Sequence, residues 1–446
     1  LNKIFENMRN KKKLNIIRFN NRIKKRLNIS KDEYKVYEIL QEFNKKYDLN
    51  IIDIDIKELD LNRHYIGNEE LKYLNKIKLS QINKLNLSWN KISDISILEK
   101  VNFKKLKELN LSYNQISDIK ILENVSFEKL ESLNLRGNKI TEINALENVK
   151  FSDLKELYLS KNKISDIKVL KDVKFGRLEI LTLGSNNFTD IELLEKFNFK
   201  ELRELYLFEN SISDINILAK VNFPQLEFLS LFKNKISDIN ILEKVNFKEL
   251  KQLSLSDNEI LEIDVLKNVN FPKLEILCLD GNKISDINVL ENVNYKQLKK
   301  LYLYKNNISD IKILEKINFE KLEIMDISEN IITDITALKN SNIKTLQHLN
   351  LCSNKISDIN VLDKVNLKEL KNLYLYENNI SDIKVLEKVN FEKLEILSLY
   401  DNKISNIEIL EKVNFKNLKA IALGQNNLTN EDIKIFKKVN FPKLEE

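Results

Sequence analysis

The amino-acid sequence predicts an α/β solenoid, in which short coils of chain stack on one another. Three observations support this fold class: a repeat of constant length, two spacings of apolar residues within each repeat, and an asparagine that keeps its position throughout. A constant period of about 20–50 residues is typical of stacked units that contact mainly their neighbours. Here the period is 114 − 90 = 24, and the asparagine keeps it without a change of register at Asn90, Asn114, Asn138, Asn162, Asn186, Asn210, Asn234, Asn258, Asn282, Asn306, Asn330, Asn354, Asn378, Asn402 and Asn426.

Each repeat begins with a predicted β-strand. In the repeat that starts at Leu109, Leu109 and Leu111 alternate with Asn110 and Ser112. This period of two is expected of a strand with one buried face. Stacking the repeats places equivalent strands side by side in a parallel sheet.

After the asparagine, the apolar residues are three apart, at Ile116, Ile119, Leu122 and Val125. This spacing favours a turn of 3₁₀- or α-helix on the opposite side of the coil, where Ser117–Asp118 would cap the turn. The recurring aspartate could also be imagined as a ladder of calcium ligands. One carboxylate per coil suits an ion with 6–8 oxygen ligands poorly, so turn capping is the favoured interpretation for Asp94, Asp118, Asp166, Asp190, Asp214, Asp238, Asp286, Asp310, Asp334, Asp358 and Asp382.

The repeated asparagine and a repeated aromatic residue both have predicted structural roles. A side-chain amide has donors and an acceptor, so a column of asparagines can satisfy backbone groups of neighbouring coils where each strand ends. The aromatic residue predicts a buried stack of rings that belongs to the core, and Ile343 and Leu367 replace it in two repeats. The stack comprises Phe103, Phe127, Phe151, Phe175, Phe199, Phe223, Phe247, Phe271, Tyr295, Phe319, Phe391 and Phe415.

The pattern L-x-L-x-x-N-x-I, as in Leu109–Ile116, resembles that of leucine-rich repeat proteins, and the resemblance covers residues 59–446. The continuation S-D-I-x-x-L, as in Ser117–Leu122, resembles the subclass that contains bacterial internalins and the leucine-rich-repeat regulators of protein phosphatase 1. The resemblance implies a right-handed superhelix with a horseshoe or arc shape, a parallel β-sheet on the concave face and short helices or 3₁₀ turns on the convex face. Those relatives typically use about 22 residues per coil. The two extra residues here are expected to form a fuller helical turn, such as 121–125.

The ends of the array predict a division into residues 1–58, a basic arm and helical N-terminal cap, and residues 59–446, the repeat array. A longer, irregular coil is expected at each end of the array, and the first advances from Leu59 to Leu85 (85 − 59 = 26). Asn68 and Asn430 each precede acidic residues and an apolar helical pattern, which predicts an N-capped helix. The chain starts at Leu1, and the next strand would begin one residue after the last, so we expect a fragment of a longer chain.

Two segments precede the array. A capping box at Ser30–Glu33 predicts a helix with an apolar face formed by Tyr34, Tyr37, Leu40, Phe43 and Tyr47. Residues 1–29 contain ten Lys or Arg and one acid, giving 10 − 1 = +9, while the whole chain has a net charge of +6. The arm could attach the protein to nucleic acid or an acidic membrane, or the run could reflect the Lys-rich composition of the chain.

Little in the sequence suggests catalysis, so no enzyme activity, cofactor, metal site or small-molecule substrate is expected. The chain has two histidines, and His348 lies on the same predicted strand face as Cys352. A nucleophile–base pair would also need an orienting group and an oxyanion site, so two surface polar residues are the favoured interpretation.

Cysteine content and hydropathy bear on the compartment. Cys278 and Cys352 fall three coils apart, about 14 Å, which is too far for a disulfide. Free thiols weakly favour a cytoplasmic location, while a secreted or cell-surface location stays open if the true N-terminus is missing. No stretch approaches the roughly 18 apolar residues that a membrane helix needs.

The predicted concave face carries many aromatic residues. Exposed rings are enriched at protein interfaces, although rings on adjacent strands also stabilise a sheet. Two contiguous patches are expected, one around Tyr206 and Phe232 and one around Tyr374 and Tyr400. The function predicted is a non-enzymatic protein-binding scaffold, alternatively an internalin-like surface or secreted adhesin or an intracellular regulator. The predicted partner-binding residues are Trp89, Tyr113, Tyr158, Tyr206, Phe208, Phe228, Phe232, Tyr302, Tyr304, Tyr374, Tyr376 and Tyr400.

Overall fold

The computed structural model describes residues 31–49, 56–77, 79–436, 439 and 441–445. The predicted basic arm at residues 1–29, Ser30 and the side chains of Tyr34 and Tyr37 lie outside the described residues. The chain forms two compact units. The first unit extends to Thr189 and includes Lys196–Glu204, and the second consists of Asp190–Glu195 and the residues from Leu205 onward.

In the first unit, a helix α1 (Lys31–Tyr47) precedes the repeats, and short helices α2 (Asn68–Leu71) and α3 (Tyr73–Ile77) follow the first strand. The strands are β1 (Glu58–Asp60), β2 (Lys84–Asn86), β3 (Glu108–Asn110), β4 (Ser132–Asn134), β5 (Glu156–Tyr158) and β6 (Ile180–Thr182). The 3₁₀ turns lie at Ser96–Glu99, Lys120–Glu123, Asn144–Glu147 and Lys168–Lys171.

The second unit repeats the same coil and ends in a helix α4 (Asn430–Phe436). Its first strand is β7 (Glu204–Tyr206), of which the residues from Leu205 onward belong to this unit. The other strands are β8 (Phe228–Ser230), β9 (Gln252–Ser254), β10 (Ile276–Cys278), β11 (Lys300–Tyr302), β12 (Ile324–Asp326), β13 (His348–Asn350), β14 (Asn372–Tyr374), β15 (Ile396–Ser398) and β16 (Ala420–Ala422). The 3₁₀ turns lie at Asn216–Ala219, Asn240–Lys244, Asp264–Asn268, Asn288–Glu291, Lys312–Glu315, Thr336–Asn340, Asn360–Lys364, Lys384–Glu387 and Glu408–Glu411, with a further turn at Glu192–Lys196.

Strand pairing confirms the repeat. Within each unit the strands are parallel, and each pairs with the next strand along the chain. Leu109 is paired with Leu133, which is the regular step (133 − 109 = 24), whereas Leu59 is paired with Leu85, a longer step (85 − 59 = 26). The expected long first coil is therefore present, and it leaves the register of the later coils unchanged.

The core of each coil consists of the apolar residues that the sequence pattern predicted to be buried. The central strand residue Leu109 is buried, as are Leu111, Ile116 and Leu122. The aromatic residues of the predicted stack are all buried, and successive rings are stacked at Phe103–Phe127 and Phe127–Phe151, with centroids 6.3 and 6.5 Å apart. Burying one such ring is worth about 1.5–3 kcal/mol, so the stack contributes to the stability of every coil that carries it.

The aspartates at the far side of the coils cap the 3₁₀ turns, as predicted. Asp118 accepts a hydrogen bond at Oδ1 from the backbone N–H of Lys120, at 2.7 Å. The other ten aspartates of this series bond the residue two positions on in the same way. Asn406 does so too, through its amide oxygen, so this hydrogen bond needs an acceptor rather than a charge. The turn is a single 3₁₀ turn, so the expected helical turn at 121–125 begins one residue earlier, at Lys120.

The ladder asparagines join each coil to the one before it. Asn114 accepts a hydrogen bond at Oδ1 from the N–H of Ile92, at 3.0 Å. Its Nδ2 donates to the carbonyls of Leu87 and Leu111, at 2.9 and 3.0 Å. These bonds connect the side chain with backbone groups where two neighbouring strands end. The column thus serves adjacent coils as predicted.

The helices of the irregular coils begin one residue earlier than the predicted caps imply. Asn68 and Asn430 are the first helical residues rather than the caps. The preceding residue, Gly67 or Thr429, donates its N–H to the carboxylate three residues on, Glu70 or Asp432. Each acid thereby satisfies a backbone donor at the helix start. Asn68 instead bonds the next coil, where it accepts the N–H groups of residues 93 and 94.

Helix α1 packs on the first irregular coil. Its buried residues include Leu40, Phe43 and Tyr47. The ring of Phe43 lies 5.9 Å from that of Tyr73, and Lys46 forms a 2.9 Å ion pair with Glu70. The helix therefore covers apolar side chains of α3 that would otherwise contact solvent.

The ladder predicts a measurable loss of stability when one amide is removed. Asn258 accepts the N–H of Ile236 and donates to the carbonyls of Leu231 and Leu255, all at 3.0 Å. Asn258→Ala leaves these buried groups unpaired and should lower the free energy of unfolding by about 1–3 kcal/mol in urea denaturation. The exposed Asn292 provides the control, because Asn292→Ala should change it by less than about 0.5 kcal/mol. Equal effects of the two substitutions would contradict the role of the ladder.

Candidate functional site

The side chains that point away from the core on the strand side of the coils form what we call the strand face. It comprises the first and third residues of each strand and the two residues before each ladder asparagine. All twelve aromatic residues predicted to bind a partner lie on this face. None is buried: Trp89 is 49% exposed, Tyr400 is 40% exposed, and the others are half-buried. Their role in binding stays a prediction.

The second unit brings the first predicted patch together. The ring centroids of Tyr206 and Phe228 lie 4.6 Å apart, and those of Tyr206 and Phe208 lie 6.4 Å apart at right angles. Phe232 occupies the position of Phe208 one coil later, and its carbonyl accepts the N–H of Glu209 at 2.8 Å. Tyr206 therefore contacts the rings of Phe208 and Phe228, and the half-buried Phe232 lies on the same coil as Phe228.

The second predicted patch is less compact than expected. Among the described residues, no ring contact joins Tyr374, Tyr376 and Tyr400. The Tyr374 hydroxyl accepts a 2.9 Å hydrogen bond from Nδ2 of Asn372. The neighbouring Cys352 and burial raise the pKa of the Tyr376 hydroxyl to about 12. These tyrosines bind polar groups of their own sheet, which reduces the apolar surface that they offer.

The closest ring stack lies in the first unit. The rings of Trp89 and Tyr113 are nearly parallel, with centroids 4.1 Å apart and an interplanar angle of 14°. The guanidinium of Arg63 lies 5.1 Å from the Trp89 ring centroid, and Nε of Arg136 donates to the Tyr113 hydroxyl at 3.1 Å. Both rings belong to the predicted set, but the sequence did not group them. The available signal was their shared place immediately before the ladder asparagine.

The residue before the ladder asparagine has a left-handed backbone in every coil. Trp89 has a φ of 57° and Tyr113 a φ of 53°, values that bulky residues rarely adopt. The same position holds Gly137 and Gly281, with φ of 70° and 64°. A left-handed conformation costs about 1–2 kcal/mol in a residue with a Cβ. The turn that brings the asparagine amide onto the neighbouring backbone therefore imposes this conformation on whatever side chain lies there.

A buried acid accompanies Tyr302 and Tyr304. Asp280 is 5% exposed, and it accepts a 2.7 Å hydrogen bond from Oγ of Ser256. Burial raises the pKa of the Asp280 carboxyl, while interactions with the hydroxyls of Ser256 and Tyr304 oppose this shift. The sequence interpretation missed this cluster, although an aspartate stands there in place of the usual serine or aromatic residue.

The structure opposes a catalytic role for the pair His348 and Cys352. Burial raises the pKa of the Cys352 thiol to about 12, and burial also lowers the pKa of His348. A thiol with such a pKa contains almost no thiolate at neutral pH, and the thiolate is the nucleophile. Cys352 lies two residues beyond β13 rather than on it, and both it and Cys278 are free thiols.

Other features of the described residues give no alternative site. They contain no group of three or more His, Cys, Asp or Glu residues placed to hold a metal ion. In the described part of the chain, none of the helices is long and apolar enough to cross a membrane.

An open groove of about 1100 Å³ follows the 3₁₀ turns of the second unit between residues 360 and 412. Its lining includes Asp382 and Lys384 as well as Glu387 and Lys388, so it presents both signs of charge and few apolar groups. Most ligand-binding sites are lined mainly by apolar side chains. The groove is therefore a weaker candidate than the strand face.

Family models match four stretches of the chain. A model described as "Leucine Rich repeats (2 copies)" matches residues 128–172 and 200–244, and one described as "Leucine Rich repeat" matches residues 81–97 and 104–119. The chain is a leucine-rich-repeat protein. No curated protein matches the sequence.

Solved structures of other leucine-rich-repeat proteins are similar to this one. The internalin InlF of Listeria monocytogenes is 26% identical with a TM-score of 0.58, and the alignment covers 87% of this chain and 94% of InlF. A leucine-rich-repeat protein of Leptospira interrogans is 23% identical with a TM-score of 0.69, covering 90% of this chain and 97% of that one. A TDR receptor is 19% identical with a TM-score of 0.56, covering 86% and 71%. The fold is thus shared with internalins, as the repeat pattern implied.

The left-handed position predicts unequal effects of alanine at two equivalent sites. Gly281→Ala should lower the free energy of unfolding by about 1–2 kcal/mol, because the new Cβ adopts a disfavoured conformation and meets the side chain and Cα of Asp257. Lys305 holds the same position one coil later, already with a φ of 55°. Lys305→Ala should change stability by less than about 0.5 kcal/mol. Similar losses in the two variants, measured by urea denaturation, would contradict this explanation.

Proposed function

We propose that this leucine-rich-repeat protein is a non-enzymatic scaffold that binds a protein partner through the aromatic residues of the strand face. The main contact is the cluster formed by Tyr206, Phe208, Phe228 and Phe232, and this cluster is the observation on which the proposal depends. Solenoid proteins commonly bind their partners on extended concave surfaces, and the strand face is the concave face of the predicted arc. Structural similarity to an internalin and to a receptor supports a binding role.

The physical argument rests on rings that remain accessible. A parallel sheet is normally covered on both faces, yet the cluster of the second unit is only half-buried. Tyr and Phe bury a large area at little entropic cost when a partner covers them, and binding energy concentrates in such residues. Contact between Tyr206 and Phe228 also stabilises the sheet. Phe208 and Phe232, which lie beyond the strand ends, are therefore the better probes of binding.

The similarity to InlF over 94% of that chain favours an internalin-like adhesin as the more specific version of this scaffold. An intracellular regulator is the other version. Attachment to nucleic acid or an acidic membrane through residues 1–29 stays a second, separate prediction, and that segment lies outside the described residues.

A double substitution tests the proposal. Phe208→Ser with Phe232→Ser removes two rings without altering a ladder asparagine, and the protein should keep its circular dichroism spectrum. Affinity capture from extracts of the source organism, quantified by mass spectrometry, should identify partners that wild-type protein retains. The variant should bind these partners at least about thirtyfold more weakly, because losing a central ring typically costs about 2 kcal/mol or more.

Leu261→Ser with Ile331→Ser provides the matched control. Both side chains are large, apolar and exposed, at 57% and 42%, and neither belongs to the strand face. The control should retain the wild-type partners. Recovery of the same partners by the Phe208/Phe232 variant would refute the proposed site.

A further inference from the structure

The coils of the first unit have a rim of unusual charge where the strands end. We call it the basic rim, and it consists of residues 62–65, 88–91, 112–115, 136–139 and 160–163. These residues include six Lys or Arg and no Asp or Glu. The equivalent residues of the ten coils of the second unit, from 208–211 to 424–427, contain six Lys and seven Asp or Glu. The positive charge is therefore a local property of the first unit.

The ion pairs found in the described part of the chain do not include the cations of the basic rim. Ion pairs in the first unit join other residues, as in Lys84–Glu108 at 2.8 Å and Lys155–Glu131 at 3.1 Å. Among the described residues, none of the ion pairs involves Arg63, Lys91 or Arg136, and none involves Lys139, Lys161 or Lys163. Arg63, Lys91, Lys139, Lys161 and Lys163 are exposed, and Arg136 is half-buried. The rim thus presents uncompensated charge to solvent.

In the rim, the rings of Trp89 and Tyr113 are covered on both faces, whereas Tyr65 is 78% exposed. Arg63 lies over one face of Trp89 and Tyr113 stacks on the other, because these residues occupy three successive coils. The far side of the Tyr113 ring rests on the backbone of Gly137, where an added Cβ would clash with it. A nucleobase or sugar would need an open ring face. At the stack of Trp89 and Tyr113, only ring edges and hydrogen-bond donors remain available to a ligand. The Tyr65 ring carries the Lys91 ammonium 5.4 Å from its centroid.

The available donors suit anionic groups, carboxylates among them. Within the described residues, the indole N–H of Trp89 takes part in no hydrogen bond, and Arg136 uses only Nε, toward Tyr113. Guanidinium groups bind carboxylates through paired N–H donors. The five coils of the rim span roughly 19 Å at about 4.8 Å per strand, which is the length of about six extended residues. We infer that the basic rim binds an extended acidic segment of a partner protein.

This inference rests on the proposed binding function, since Trp89 and Tyr113 belong to the aromatic residues of the strand face. It specifies the chemistry of the partner segment that the first unit binds. It is independent of the ring cluster of the second unit. If the basic rim does not bind the acidic peptide, capture of partner proteins through Phe208 and Phe232 is unaffected. The two proposals can therefore fail separately.

Trp89 offers a direct probe, because it is the one tryptophan of the chain. Its emission is recorded while the full chain is titrated with a short peptide of alternating Glu and Ser. The same peptide with Gln in place of Glu and a short oligothymidylate are titrated in parallel. The Glu peptide should produce a saturable change in emission that weakens as salt is raised, because salt screens exposed charges. The Gln peptide should produce none.

Charge-reversal variants locate the site. Arg63→Glu with Arg136→Glu should weaken binding of the Glu peptide at least about tenfold. Lys104→Glu with Lys129→Glu changes the net charge equally at exposed positions outside the rim, and this control should bind the Glu peptide nearly as the wild type does. If the Arg variant loses its native circular dichroism, Lys91→Glu with Lys161→Glu replaces it, because neither lysine belongs to the ring stack.

Three results would overturn the inference. They are no change of Trp89 emission with the Glu peptide, equal weakening in the rim and control variants, and tighter binding of the oligothymidylate than of the Glu peptide. The last result would assign the rim to single-stranded nucleic acid instead.

Discussion

The side-chain amide of the ladder asparagine is the interaction on which the rest of the structure depends. At Asn138 it accepts the N–H of Ile116, 22 residues earlier, and donates to the carbonyl of Leu111, 27 residues earlier. One side chain thus satisfies buried backbone groups on two coils, which an aspartate or a leucine cannot do. It also determines the conformation of the residue before it, whose left-handed backbone turns the chain so that the amide reaches its partners.

This backbone arrangement is constant from coil to coil, and the side chains that it displays are not. The residue before the ladder asparagine is, for example, aromatic at Trp89 and Tyr113 in the first unit and acidic at Asp257 in the second. Equivalent side chains lie on neighbouring strands about 4.8 Å apart, so a few substitutions produce a local surface of one chemistry. The first unit obtains a basic rim around a closed ring stack, and the second obtains an open ring cluster around Tyr206 and a buried acid at Asp280.

Periodic features could be predicted from the sequence because a column of equivalent residues has one physical explanation. The ladder, the ring stack and the aspartates of the 3₁₀ turns all belong to this group. Features that do not repeat from coil to coil were harder to predict from the sequence. Gly67 has no side chain to signal a cap, and the carboxylate that completes it lies three residues away. The left-handed position accepts many residue types, so it leaves no pattern. The stack of Trp89 on Tyr113 was missed for the same reason, and the polar partners of Tyr376 and Tyr304 depend on side-chain positions that spacing does not reveal.

Amide hydrogen exchange at single residues tests the central claim most directly. The N–H of Ile260 is bonded to Oδ1 of Asn282 at 3.1 Å, and the N–H of Ile284 to Oδ1 of Asn306 at 3.0 Å. In an Asn282→Ala variant, the Ile260 amide should lose its protection while the Ile284 amide keeps most of its protection. Unchanged protection of Ile260, or rapid exchange of both amides in the wild-type protein, would contradict the account.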